Sequence, residues 1–163
     1  MNIDTAVIKA ASLLIEATRK EWKAQGKIAS RRAFKTIQAK ILRRFDVIVA
    51  GVYVEKYMLY QDRGVKPENI KIGRGLIEGL KGWMRFKMPH VPAKNRTNVA
   101  FAIANKMKKE GMPTRNAHKF SPSGRVLNWS TYVFNEVEPK IDILIDEASD
   151  GLVDTLLINT LRE

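Results

Sequence analysis

Side chains that could do chemistry are few in this sequence, and their spacing is poor. There is no cysteine, so it offers no thiolate nucleophile, no thiolate metal ligand and no disulfide framework. His90 and His118 are the two histidines, and a zinc or iron site built on them would need carboxylate help. The run from Gly73 to Gly79, GRGLIEG, imitates part of a dinucleotide motif. Its third glycine is misplaced, and no strand precedes it to aim a helix at a pyrophosphate. The serines near the histidines lack the elbow sequence of a hydrolase. Asp142, Asp146 and Asp150 recur every four residues and so share one face of a helix, with Glu147 beside them. A two-carboxylate mechanism needs a pocket that raises one pKa, and no apolar surroundings supply it. The row reads instead as a solvated or subunit-facing side. No catalytic, cofactor or metal residue is expected, and the chain is not expected to be an enzyme.

Charge is the strongest compositional signal. Lys and Arg number 29 against 17 Asp and Glu, a formal charge of +12. Residues 29–125 hold 22 of the basic groups and 6 of the acidic ones, whereas residues 126–163 hold 2 basic and 8 acidic. A basic body with an acidic end attracts polyanions, nucleic-acid backbone first among them. In a ring of identical subunits, the acidic end could pair with a neighbour's basic body. Hydrophobic residues at 45% and charged residues at 28% suit a globular chain, and 163 residues suit one domain. No apolar run is long enough to span a bilayer. MNIDTAVIKA, with an acid before any base, does not read as a signal peptide. A secreted, membrane-spanning or cysteine-dependent protein is not expected.

The elements that must hold these groups follow from periodicity. Residues 3–24 carry Ile3, Val7, Ala10, Leu14 and Ala17 at helical spacing, with caps from Asp4 and Thr5 and an end at Gly26. Ser30 is expected to cap a second helix through residue 44, with Ala33, Phe34, Ile37 and Ile41 on its apolar face. Its other face, with Arg31, Arg32, Lys35, Lys40, Arg43 and Arg44, would be a basic stripe suited to phosphate. Phe45 to Val54 is β-branched and reads as a strand leading into YMLYQDRG, residues 57–64. Residues 65–74 read as a loop and 75–87 as a short helix. A third helical pattern runs from Thr97 or Asn98 to Gly111, and 112–125 is a loop. Asn128 to Leu161 is mostly helical, with a strand possible at Ser130–Phe134. A helical, basic N-terminal region, 1–44, thus precedes an α+β body, 45–163, that ends in an acidic helix.

The order of these elements resembles the tail-completion and head–tail connector proteins of tailed bacteriophages, small structural proteins of the neck. In that family a Tyr-rich strand end runs into an acidic corner with glycine, matched by Tyr57, Tyr60, Asp62 and Gly64. A helix with a single Trp follows, matched by Trp83. The family's Ala-Phe-x-Ile helix ending in glycine is matched by Ala100, Phe101, Ile103, Lys106, Met107 and Gly111, and the Phe after the loop by Phe120. The resemblance spans roughly residues 45–160, and the order and spacing of its short motifs carry it.

That resemblance implies an α+β fold, a small and mostly antiparallel sheet with the long N- and C-terminal helices packed on it. It implies assembly into a closed ring, a hexamer or dodecamer, between portal or adaptor and tail proteins of one virion. Such a ring would be put together in the bacterial host cytoplasm, with DNA passing non-specifically and no membrane involved. Tyr57, Tyr60, Trp83 and Phe101 would then be core or subunit-packing residues, and Asp142, Asp146 and Asp150 would face a neighbouring subunit. A second reading is a sequence-nonspecific nucleic-acid-binding protein that lays Arg31, Arg32, Lys35, Arg43 and Arg44 on phosphates. A third, a membrane-surface helix, is disfavoured by the few large apolar residues of 30–44.

Overall fold

The computed structural model describes residues 2–27, 32–44 and 47–160, with the side chains at 32, 33, 120 and 153–160 left aside. Among these residues the order is α1 (Ile3–Ala24), α2 (Arg32–Thr36), β1 (Gln38–Arg44), β2 (Val47–Tyr53), α3 (Lys56–Arg63), α4 (Arg74–Lys87), α5 (Arg96–Glu110) and α6 (Trp129–Thr160). The fold is α+β, as expected, with one small antiparallel sheet of two strands.

α1 has the bounds its periodicity gives, but its cap is different. The Thr5 N–H donates to the Asn2 side-chain carbonyl at 2.8 Å, so Asn2, and not Asp4 or Thr5, closes the first turn. At the other end Gly26 adopts φ 67° and the Lys27 N–H reaches back to the Trp22 carbonyl at 3.1 Å. That six-to-one bond is a Schellman ending, which favours glycine at its left-handed position.

The helix expected over 30–44 does not form as one element. α2 lasts from Arg32 to Thr36, and the chain then extends as β1, paired antiparallel to β2 from Gln38↔Tyr53 to Arg44↔Val47. Ala33, Phe34, Ile37 and Ile41 satisfy a helical period, yet Ile37, Ala39 and Ile41 also alternate with the polar Gln38 and Lys40. A short segment of this kind is decided by its neighbour. β2, with three valines and an isoleucine, is the stronger strand former and needs a partner for its backbone N–H and C=O groups. Phe45 and Asp46, where the strand was expected to start, lie outside the described residues.

The segment expected as a Tyr-bearing strand end is the helix α3. Lys56–Arg63 contains no β-branched residue, and Met58 and Asp62, one turn apart, share its buried face. α4 and α5 match their expected spans to within a residue or two. Ser130–Phe134 lies inside α6, so the strand alternative there fails.

The chain packs as two compact units whose stretches interleave along the sequence. One comprises Met1–Glu21, Thr36–Val54 and Ser130–Glu163. Its buried side chains are mostly small, among them Ala6, Ala10 and Ala17 of α1 and Val133, Val137 and Ala148 of α6. Lys20 of α1 bonds Glu136 of α6, and that bond holds the Glu136 carboxyl below its ordinary pKa. The other unit comprises Trp22–Lys35 and Glu55–Trp129. There α4 and α5 pack through Ile77, Met84, Ala100 and Ala104.

Candidate functional site

The candidate residues fall into three groups: the glycine corner, the aromatics and the charged rows. The corner is the best defined. Gly64 ends α3 at φ 76°, ψ 178°, and Gly111 ends α5 at φ 87°, ψ −174°. Both conformations are nearly closed to any residue with a Cβ. The residues that follow, Val65 and Met112, exchange backbone hydrogen bonds of 2.7 and 2.8 Å in an isolated antiparallel bridge. Two glycines read separately from the sequence are thus the two shoulders of one junction. A Cβ on Gly64 would stand 2.8 Å from the Met112 carbonyl oxygen, and one on Gly111 would stand 3.0 Å from that of Val65. Gly64→Ala is accordingly expected to lower stability by about 2–3 kcal/mol, combining the strained backbone with the clash. Chemical denaturation checks it, and an unchanged unfolding midpoint would contradict the junction's geometry.

Asp62 is buried beside this junction, and its backbone carbonyl accepts the Asn128 N–H at 2.9 Å. Trp129 follows, at the start of α6. Its indole N–H donates to the Met58 carbonyl at 3.0 Å, and its ring meets that of Trp22 edge to face with centroids 5.7 Å apart. The acidic corner is therefore a structural knot that joins α3 to the start of α6 and to the end of α1. Trp129 was not singled out in the sequence. Its signal was local, an aromatic directly after Asn128 at a helix start.

The aromatics do not lie where core packing would put them. Trp83 and Phe101 are 42% and 46% exposed, and Tyr57, Tyr60 and Phe86 are exposed too. The core role is corrected for this chain taken alone. Ile77 and Met84 fill the inner face of α4, and Ala100, Ala104 and Met107 that of α5, which leaves the large rings on the outer faces. Singly exposed apolar residues are ordinary, and rings of this size gain significance where they gather into one interaction surface. Phe120 was the remaining aromatic of the pattern, and its side chain is outside the described residues.

The part of the basic stripe that lies on β1 is divided between the two faces of the hairpin. Arg31 and the Arg32 side chain lie outside the described residues, and Lys35 is exposed on α2. Arg43 and Arg44 are consecutive in β1, so they project from opposite faces of the hairpin. Arg43 turns toward α1, where Asp4 binds its guanidinium and raises its pKa. Among the described residues, Arg43 and Arg44 therefore do not share one cationic face. Arg43→Gln is expected to leave the salt dependence of any duplex-DNA binding unchanged, because that cation is already neutralised locally. A log–log slope smaller by about one unit would contradict this.

Asp142, Asp146 and Asp150 line one exposed side of α6, opposite the buried Val137 and Ala148. The expected placement on one face holds. Among the described residues no cluster of His, Asp and Glu could hold a metal ion, and no helix is long and apolar enough to cross a membrane. No known protein family, curated protein or solved structure matches the chain.

Proposed function

We propose that this chain is a non-enzymatic virion structural protein, a ring-forming subunit of the phage neck that joins the portal to the tail around the DNA passage. The observation that carries the reading is the exposure of Tyr57, Tyr60, Trp83 and Phe101. These are the aromatics of the connector-like pattern, and they stand on helices whose opposite faces are already packed. Aromatic side chains dominate the binding energy of protein interfaces, so such a surface suits contact with a second protein. The basic body fits a collar beside packaged DNA, where backbone contact without sequence reading suffices. Formation of β1 over Gln38–Arg44, with Arg43 and Arg44 on opposite faces, weighs against the alternative, a DNA-binding helix.

Electron micrographs of the purified protein test the reading. Annular particles with a central opening are expected. Uniform small particles at every concentration, with duplex DNA shifted by single chains, would favour the nucleic-acid-binding alternative.

A further inference from the structure

The β1–β2 hairpin has an inner and an outer face. Ile41, Arg43 and Ile48 point inward, toward Asp4, Val7 and Ile8 of α1, with which they line one groove. The outer face carries Lys40, Leu42 and Arg44 from β1, set against Gly51, Val49 and Val47 of β2 in register. Tyr53 completes it, with the Lys40 ammonium 5.1 Å from the centre of its ring. Val47, Val49 and Tyr53 are 58%, 52% and 51% exposed. A lone two-stranded hairpin is marginal in water, and its outer edges leave backbone groups without partners. An apolar outer face framed by two cations is a surface suited to a partner with apolar and acidic groups.

Resting on the ring reading above, we propose that this partner is α6 of a second copy of this chain, set on the outer face with its row of Asp142, Asp146 and Asp150. Charge and spacing both select it. The three carboxylates span about 12 Å along a helix, at 1.5 Å per residue. Lys40 to Arg44 spans about 13 Å along a strand, at 3.3 Å per residue. Ile143 and Ile145 flank the carboxylates and are more than half exposed, so apolar contact with Leu42, Val47 and Val49 accompanies the ion pairs. Gly51, with open space around its missing Cβ, leaves a notch opposite Lys40 for the approaching helix.

The pairing cannot form within one copy. The hairpin's outer face points away from α1, and the carboxylate row lies across α6 from Leu144, which lines a groove with Ser12 and Leu13 of α1. Among the described residues, none of these five charges has an ion-pair partner. Two different surfaces joined copy to copy make a head-to-tail contact, the kind that closes into rings.

Charge exchange tests it. One variant carries Lys40→Glu and Arg44→Glu, and the other carries Asp142→Lys, Asp146→Lys and Asp150→Lys. All five positions are exposed, so both variants should keep the wild-type far-ultraviolet circular dichroism, with any fall in thermal midpoint reversed in the mixture. Each alone is expected to dissociate at protein concentrations at least about tenfold above wild type in low salt. An equimolar mixture should reassemble, because every hairpin then meets a complementary helix. A second measurement uses the absence of native cysteine: Leu42→Cys with Ile145→Cys should give a ladder of chain-to-chain disulfides. Wild-type rings with variants that assemble equally well, or a mixture that stays dissociated, would overturn this contact and leave the ring reading intact. A wild type that is monomeric throughout would overturn both.

Discussion

Trp129→Ala is expected to cost about 3–5 kcal/mol, the range of a buried aromatic truncated in a core. The ring is buried, and its removal opens a cavity beside Trp22, which is itself fully buried. It also removes an edge-to-face aromatic contact, worth about 0.5–1.5 kcal/mol beyond the buried area. The hydrogen bond from the indole to Met58, which ties the start of α6 to α3, goes with it. Surrounding atoms can relax only partly, because Asn128 and Asp62 fix the backbone alongside. For a chain of this size the thermal midpoint should fall by roughly 10 °C, followed by far-ultraviolet circular dichroism. A midpoint within about 2 °C of wild type would remove Trp129 from the core.

Trp83→Ala and Phe101→Ala should behave in the opposite way. Both rings are about half covered on the outer sides of α4 and α5, so truncation should cost the dissociated chain about 1 kcal/mol, well below the loss at Trp129. Assembly should suffer instead. An aromatic buried at the centre of an interface typically contributes about 2 kcal/mol or more, so each substitution should raise the dissociation concentration roughly 30-fold. Sedimentation of the two variants beside wild type separates the possibilities. A large fall in stability would return these residues to a core role, and unimpaired assembly would take them out of the interface.

Several features were legible in the residues themselves. Gly26 and Gly111 mark helix ends because their positive φ suits glycine, and α1, α4 and α5 follow unbroken apolar periods of 3.6. The hairpin was not legible as such. Ile37 to Arg44 fits both periods, and the choice belongs to a pairing with β2 that no window over 30–44 contains. α3 was obscured by its tyrosines, which favour strands in general but here lie on the outer side of a helix anchored by Met58 and Asp62. Gly64 and Gly111 were both singled out, yet the bridge that unites them depends on two segments meeting across the whole of α4 and α5. Of the two roles expected for the aromatics, core or subunit packing, their exposure removes the first. Periodicity shows that Trp83 and Leu80 are neighbours on a helix, and does not show which side the alanines of α5 cover.

The charge split likewise acquired a shape. The β1 residues of the expected cationic stripe divide into Arg43, held by Asp4, and an outward pair, Lys40 and Arg44. The acidic row stayed together because a helix keeps residues four apart on one side.

The molar mass of the purified wild-type chain in solution, measured by light scattering at low and high salt, tests assembly most directly. One chain has a mass of 18.5 kDa. The account predicts a single closed species of many such chains at low salt, with a fixed mass over a wide range of concentration, that dissociates as salt screens its charged contacts. A mass of one chain at every concentration and salt would contradict it.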